Sequence, residues 1–237
     1  MIQMTSLMLP NHFHGRTKNA LLQIPNSWRE VIDARRMKLL PWVQRSLKDG
    51  PVIVSLNETR CVMSNAKVIR FHECMIKVPI ECKAGKGVYP LATFVDDEIS
   101  LVRGYLMGFS KKIVDAVSFD TLQSFVFEDI MTVHLQNDIF NRRLTESVME
   151  LRDKINDVLS PGFILGREID LGDGVYARGY WKLPTVNHVI HQERWLNVEN
   201  SIVRINSTDY PVSALKETED SFTIESLDLA SYQDAVS

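Results

Sequence analysis

Two segments of the chain repeat apolar residues at the three- and four-residue spacing of an amphipathic helix. The first follows Ser27, a helix-capping residue with a glutamate three positions later, and extends to Leu39 before Pro41 ends it. The second begins near Thr145 and continues to Leu159, where a Pro-Gly pair follows. The pattern therefore predicts two amphipathic helices.

A shorter helix is predicted where acidic residues precede an apolar run. Asp96, Asp97 and Glu98 stand before apolar residues that continue to Leu106, and acidic side chains are favourable at the N-terminus of a helix. Gly108 follows and is expected to stop the helix. The helix would end just before a pair of lysines.

Most of the remaining chain has the composition of β-strands. β-Branched and aromatic runs occupy much of residues 51–90, with a turn expected at residues 84–87, and further strands are expected at residues 175–181 and 186–195. Glycine or proline separates these runs, a pattern typical of antiparallel hairpins rather than of βαβ units. The predicted fold class is α+β with mostly antiparallel strands.

The composition is that of a soluble globular enzyme. The chain has 237 residues and a mass of 27.1 kDa, of which 45% are hydrophobic and 24% charged, and we expect a single domain over residues 1–237. A formal net charge of −3, with scattered basic residues, argues against nucleic acid as a partner. No run approaches the roughly 18 apolar residues that span a bilayer, so we expect no membrane association and a cytoplasmic location. The three cysteines are an odd count in a chain of this size, so we expect them to be reduced thiols.

Lys111 and Lys112 follow an apolar run punctuated by glycines, and this setting is the strongest chemical signal in the chain. A lysine amine attacks a carbonyl when it is neutral, whereas the ordinary pKa of a lysine, about 10.4, keeps it protonated at neutral pH. Burial among apolar groups and a neighbouring cation both favour the neutral amine. The sequence thus indicates a nucleophilic amine, with a solvated turn as the alternative.

Several linked blocks surround these lysines. They are Phe-His-Gly-Arg at residues 13–16, Phe-His-Glu at 71–73, Gly-Val-Tyr-Pro at 87–90 and Phe-Val-Asp-Asp-Glu at 94–98. With the lysine pair, they resemble the acetoacetate decarboxylase family, in which a small-aromatic-Pro-Lys-Lys sequence carries the Schiff-base lysine. The similarity covers residues 12–115 and, more faintly, residues 163–221.

The resemblance implies both a fold and a chemistry. The fold would be a closed double β-barrel or cone with a few peripheral helices around an interior cavity. Lys111 would condense with a ketone, and the iminium would accept the electron pair released as carbon dioxide leaves. No metal or organic cofactor is required, the partner is a small-molecule keto acid or ketone, and we expect a homo-oligomer. Lys112 would be a flanking cation in the catalytic site, unless it points to the other side of an extended strand.

Three further candidates come from the same resemblance. Glu73 matches a family active-site carboxylate and would handle protons or orient the substrate. Glu58 lies near the sequence position of a second family carboxylate and is expected to bind substrate, with Asn57 as the alternative. Arg16 would anchor a substrate carboxylate through its bidentate guanidinium, the alternative being a surface arginine.

Two departures from the family pattern leave the reaction open. Tyr105 stands where the family has a glutamate, and Ser110 where it has a proline. The loss of a carboxylate changes the proton chemistry of the pocket and makes Tyr105 a candidate substrate contact. Decarboxylation of a β-keto acid is the first hypothesis, and a biosynthetic Schiff-base aldolase, dehydratase or cyclase is the second. A barrel that binds a small molecule without catalysis is the third.

The histidines do not form a metal-binding pattern. His12 and His14 flank Phe13, and His188 and His191 form a His-x-x-His, but no third ligand follows at a characteristic spacing. A strand would also turn the second pair to opposite faces. We therefore expect no metal site.

Overall fold

The computed structural model consists mainly of β-strands. It describes residues 9–22, 41–46, 48, 50–83, 85–139, 146–160, 162–170, 176–183, 185–225 and 233–234. The strands in these ranges are β1 (Asn11–Leu22), β2 (Val52–Met63), β3 (Val68–Cys82), β4 (Gly85–Val95), β5 (Lys111–Ile113), β6 (Phe119–Asp120), β7 (Ser124–Phe127), β8 (Met131–His134), β9 (Ile164–Asp170), β10 (Tyr176–Lys182), β11 (Val186–Leu196), β12 (Ile202–Ile205), β13 (Thr208–Ile224) and β14 (Gln233–Asp234). The helices are α1 (Pro41–Ser46), α2 (Glu98–Met107) and α3 (Glu146–Leu159). Within the described ranges, none of these helices has both the length and the apolarity needed to cross a membrane.

One large sheet organises the chain. Its strands follow the order β5-β4-β3-β2-β1-β13-β12-β8-β7-β6, and β11 pairs with β13 off this path. Neighbouring strands pair antiparallel, except that β4 and β5 are parallel. Strands β9, β10 and β14 form a separate three-stranded sheet. The large sheet curls into a half-barrel, which confirms the predicted α+β class with mostly antiparallel strands.

The two faces of β1, β2 and β3 serve different purposes. Side chains alternate between the faces along each strand. Even-numbered apolar residues of these strands pack into the largest core cluster with β4, β7, β8, β12 and β13. Odd-numbered residues occupy the concave face, where Leu21 and Ile53 pack against Ile155 and Val158 of α3 and others border a cavity.

Local signals predicted α2 and α3. Asp97 caps α2 and accepts a hydrogen bond from the Ser100 backbone N–H at 2.6 Å, while Gly108 ends the helix in the left-handed conformation at φ 96°. Helix α3 confirms the amphipathic helix predicted in the second half of the chain. The helix predicted from Ser27 lies outside the described residues, and Pro41, expected to end it, is the first residue of α1.

The predicted strands are present with different bounds. The runs within residues 51–90 form β2, the long strand β3 and β4. Strand β4 already begins at Gly85, so residues 85–87 of the predicted turn belong to the strand. Strands β10 and β11 confirm the two later strand predictions, although residue 175 is outside the described ranges.

Candidate active site

The concave face of the sheet borders a cavity of about 630 Å³. The lining includes residues of β1, β2, β3, β5, β11 and β13, one face of α2, and the C-terminal end of α3. Cavities of this size commonly hold small organic molecules, and they combine apolar walls with a few placed polar groups. The cavity is therefore the candidate site.

A row of polar side chains crosses the cavity floor. Its members, each opposite the next in strand register, are Glu73, Asn57, Thr17, Thr218 and Glu193. All five border the cavity. We call this set the polar row, and Glu73 is its member on β3.

Lys111 reaches the polar row from the edge of the sheet. Strand β5 lies parallel to β4, with Lys111 opposite Thr93. The Lys111 ammonium contacts Glu73 Oε1 and donates a hydrogen bond to Ser100 Oγ at 2.9 Å. Since the lysine side chain is only 6% exposed, the amine is almost dry and has a carboxylate beside it that can take its proton.

Aromatic rings flank the amine on two sides. Lys111 Nζ lies 5.5 Å from the ring centroids of both Phe71 and Phe109. Such rings keep water away, and electrostatic interactions are stronger where water is excluded. Exclusion of water also protects a hydrolysable intermediate such as an imine.

Helix α2 packs closely against the lysine. Ser100, Arg103 and Met107 border the cavity at helical spacing. Gly104 leaves the space that the Lys111 side chain occupies, because a Cβ at position 104 would lie 2.9 Å from Nζ and nearer still to Cδ and Cε. Glycine inside a helix lowers the stability of the helix by about 1 kcal/mol relative to alanine. Here the glycine makes room for the Lys111 side chain.

The cap of α2 also contributes to the site. Asp97 fixes the backbone of Ser100, and the hydroxyl of Ser100 accepts the hydrogen bond from Lys111. Ser100 is itself buried. The acidic start of the helix thus helps to position the amine.

Arg103 brings a guanidinium to the cavity wall. The residue is buried, and its Nη1 donates to Cys61 Sγ at 3.8 Å. Burial raises the pKa of the Cys61 thiol, and the charge of Arg103 opposes that shift in part. Cys61 is therefore a neutral thiol at pH 7 and an unsuitable nucleophile.

A second lysine, Lys77, borders the cavity from β3. It is 5% exposed, and its Nζ lies 3.4 Å from Asn19 Oδ1 and 5.3 Å from the ring centroid of Phe163. Burial lowers the pKa of Lys77 to about 8, although the charges of Glu73 and Asp220 oppose the shift. With Lys111 and Lys216, Lys77 is one of three largely buried lysines that border the cavity in the described part of the chain.

Arg16 and Glu58 lie outside the cavity, contrary to expectation. Odd-numbered residues of β1 and β2 border the cavity, so this even-numbered pair faces the other side of the sheet. Arg16 Nη2 lies 3.1 Å from Glu58 Oε2, and both side chains are nearly half exposed. Substrate binding by either residue does not fit this geometry. Asn57, the rival of Glu58, belongs to the polar row.

Lys112 and Tyr105 also point elsewhere. Lys112 lies on the opposite face of β5 from Lys111, with its Nζ 4.2 Å from the ring centroid of Phe127. Tyr105 is 63% exposed on α2 and does not border the cavity. Strand alternation and helix rotation account for these two placements. Among the sequence candidates, the structure brings together Lys111 and Glu73.

Sequence reasoning missed most of the polar and charged residues that border the cavity, among them Asn19, Lys77, Ser100 and Arg103. A signal existed for Lys77, because it is a single lysine inside an apolar run and has the same strand parity as Glu73. Arg103 follows Ser100 by one helical turn, so the two share a helix face. Asn19 had no comparable local signal.

In the part of the chain that the structure describes, no group of three or more His, Cys, Asp and Glu side chains is arranged to hold a metal ion. His188 Nε2 lies 2.9 Å from Asp220 Oδ2, whereas His191 Nε2 lies 2.9 Å from Ser221 Oγ. The two histidines thus contact different neighbours on β13.

No family model and no curated protein matches this chain. Solved structures match over most of its length. An acetoacetate decarboxylase-like enzyme from Sphingomonas wittichii RW1 aligns with a TM-score of 0.58 at 13% identity, covering 92% of this chain and 91% of that one. A structure of acetoacetate decarboxylase aligns with a TM-score of 0.60 at 12% identity, covering 96% and 91%. The enduracididine biosynthesis enzyme MppR aligns with a TM-score of 0.57 at 11% identity, covering 94% and 88%.

The fold and site define a class of protein: an α+β half-barrel with a buried lysine-carboxylate pair in an interior cavity. The structural similarities identify the fold as acetoacetate decarboxylase-like. The resemblance inferred from the residue blocks is thereby confirmed for the fold.

Proposed function

We propose that this chain is a cofactor-independent lyase that forms a Schiff base between Lys111 and a keto substrate. The observation that carries the proposal is the nearly complete burial of Lys111, with its amine against Glu73 and Ser100 in a cavity of ligand size. Structures with this fold include acetoacetate decarboxylases and MppR complexed with pyruvate, which supports a keto acid or ketone as the substrate.

Condensation begins with a proton transfer. Glu73 accepts a proton from the ammonium, and the lone pair of the neutral amine attacks the carbonyl carbon. A nitrogen–carbon bond forms while Glu73 returns the proton to the carbonyl oxygen. Loss of that oxygen as water gives an iminium, and Ser100 holds the nitrogen in place.

The iminium then acts as an electron sink. In a β-keto acid, the bond to the carboxylate carbon breaks, carbon dioxide leaves, and the electron pair moves toward the iminium nitrogen to give an enamine. Protonation of the enamine carbon restores an iminium, which water hydrolyses to a ketone and the free amine. No oxidant or reductant is consumed.

A Schiff-base aldolase, dehydratase or cyclase is the second candidate function. In that reaction the iminium loses a proton from its α-carbon to a base such as Glu73. The resulting enamine carbon attacks a second carbonyl carbon, and the oxygen of that carbonyl takes up the proton. One observation favours it: a structure of MppR holds the condensation product of pyruvate and imidazole 4-carboxaldehyde.

Borohydride trapping tests imine formation. The protein is incubated with acetoacetate or pyruvate, reduced so that the imine becomes a stable secondary amine, and mapped by peptide mass spectrometry. We expect the label on Lys111, no label in Lys111→Ala, and normal labelling in Lys112→Ala, because Lys112 lies on the opposite face of β5.

Two further outcomes separate the alternatives. Carbon dioxide release from acetoacetate supports the decarboxylase, whereas labelling of Lys111 without release favours the aldolase, dehydratase or cyclase. An unlabelled wild-type protein with every keto compound would contradict the proposal and favour a non-catalytic binding barrel.

A further inference from the structure

Lys77 differs from the other lysines of the cavity in its contacts. Lys111 contacts Glu73, and Lys216 lies 2.7 Å from Glu193 Oε2. Asp220, the remaining carboxylate of the described lining, lies 2.9 Å from His188. Each carboxylate that borders the cavity in the described residues therefore already has a cationic or histidine neighbour.

The surroundings of Lys77 do not compensate its charge. Among the described residues, no carboxylate lies within about 4 Å of its Nζ, the distance of a salt bridge. The nearest acceptor, Asn19 Oδ1, is 3.4 Å away and also accepts a hydrogen bond from Ser55 Oγ at 2.6 Å. A buried ammonium without a counter-ion is unfavourable, and the lowered pKa of Lys77 reflects this cost.

The position of Lys77 relative to Lys111 follows from strand register. Lys77 lies four residues beyond Glu73 on β3, and its side chain extends to Asn19. Asn19 is opposite Ser55, which is opposite Met75. Asn19 therefore lies two residues along the strands from the polar row. At about 3.3 Å per residue, the displacement along the strand is roughly 7 Å.

We propose that Lys77 is the anion anchor of the cavity, and that its ammonium binds a substrate carboxylate several ångströms from the ketone that condenses with Lys111. The proposal rests on the proposed function and narrows its substrate class to keto acids with a carboxylate remote from the ketone. The anchored carboxylate is not the group that would leave as carbon dioxide.

The charge state of Lys77 suits this role. With a pKa of about 8, most molecules carry an ammonium at pH 7, and a bound carboxylate favours that form further. The described lining holds an excess of one positive charge when its histidine is neutral. Its cations are Lys77, Arg103, Lys111 and Lys216, and its carboxylates are Glu73, Glu193 and Asp220.

A matched pair of ketones tests the anchor. 6-Oxoheptanoate and 2-heptanone have the same chain length and the same ketone, but only the first ends in a carboxylate. The measurement is the concentration that gives half-maximal borohydride labelling of Lys111. We expect wild type to require about tenfold less acid than ketone, and Lys77→Met to remove this preference while changing the value for 2-heptanone by less than about twofold.

Lys18 supplies a control for the loss of a buried lysine. It is fully buried, and burial lowers its pKa to about 8, but its ammonium donates to the Gln136 backbone oxygen at 3.0 Å and does not border the cavity. Lys18→Met is expected to keep the preference for the acid. Lys77→Arg, which restores a cation, is expected to recover part of it.

Three results would overturn the anchor: no preference for the acid in wild type, an unchanged preference in Lys77→Met, or a label on Lys77 itself. Failure of Schiff-base formation is distinguishable. If no lysine is labelled, the proposed function fails, and calorimetric binding of 6-oxoheptanoate to wild type and Lys77→Met still tests the anchor. Equal affinities there would refute it.

Discussion

Substituting alanine at Gly104 separates the chemistry of Lys111 from the stability of the fold. The added Cβ would lie 2.9 Å from Lys111 Nζ and closer to Cδ and Cε, whereas carbon atoms pack at about 3.5 to 4.0 Å. The lysine side chain must therefore move by roughly 1 Å or more. This movement takes its amine away from Glu73 and Ser100.

The expected loss of reactivity is large. A misplacement of about 1 Å at a reacting group can cost on the order of 100-fold in rate, because the attacking atom leaves its aligned position. We expect Gly104→Ala to slow borohydride trapping of acetoacetate by about that factor. The effect on folding has two opposing parts: alanine favours the helix by about 1 kcal/mol, and the displaced ion pair removes a stabilising contact.

The assay combines two measurements on each protein: the rate of adduct formation by mass spectrometry and the free energy of unfolding in urea. Val102→Ala, at a position 56% exposed on the same helix, is the control for a general effect of altering α2. If Gly104→Ala forms the adduct within about twofold of wild type, the close packing of α2 against Lys111 does not matter for the chemistry.

Two further predictions concern the stability of Lys77→Met and adduct formation in Arg16→Ala. The pKa of Lys77 is about 8 in the folded protein and near 10.5 unfolded, so the unfolded chain binds more protons between these values and the folded state gains stability as pH rises through that window. In urea titrations, the free energy of unfolding of Lys77→Met should exceed that of wild type by the largest amount below pH 8, and this difference should shrink by about 3 kcal/mol by pH 10.5. A difference that does not change with pH would contradict the argument that burial lowers the pKa of Lys77. Arg16→Ala should leave the rate of adduct formation within about twofold of wild type, because the exposed Arg16–Glu58 pair lies outside the cavity. Exposed pairs of this kind contribute at most about 1 kcal/mol to stability. A strong loss of labelling would show that this face of the sheet matters for the site.

The sequence by itself determined the local features of this protein. Asp97 and Gly108 act on the backbone within one turn of themselves, so the limits of α2 could be predicted from their spacing. Strand composition and the separation of runs by glycine and proline likewise predicted an antiparallel α+β fold. The lysine pair stood out because its apolar neighbours precede it directly in the chain.

Only the tertiary structure decided which strand face encloses the cavity and which strands lie side by side. Alternation puts Arg16 and Thr17 on opposite faces, but the curl of the sheet and the packing of α3 make the odd-numbered face of β1 the inner one. Contact between Lys111 and Glu73 needs β5 beside β4 and β4 beside β3, and Lys77 meets Asn19 through register across three strands. Register is set by packing between distant segments, so a single sequence predicted Lys111 and Glu73 as site residues by resemblance but did not predict Lys77.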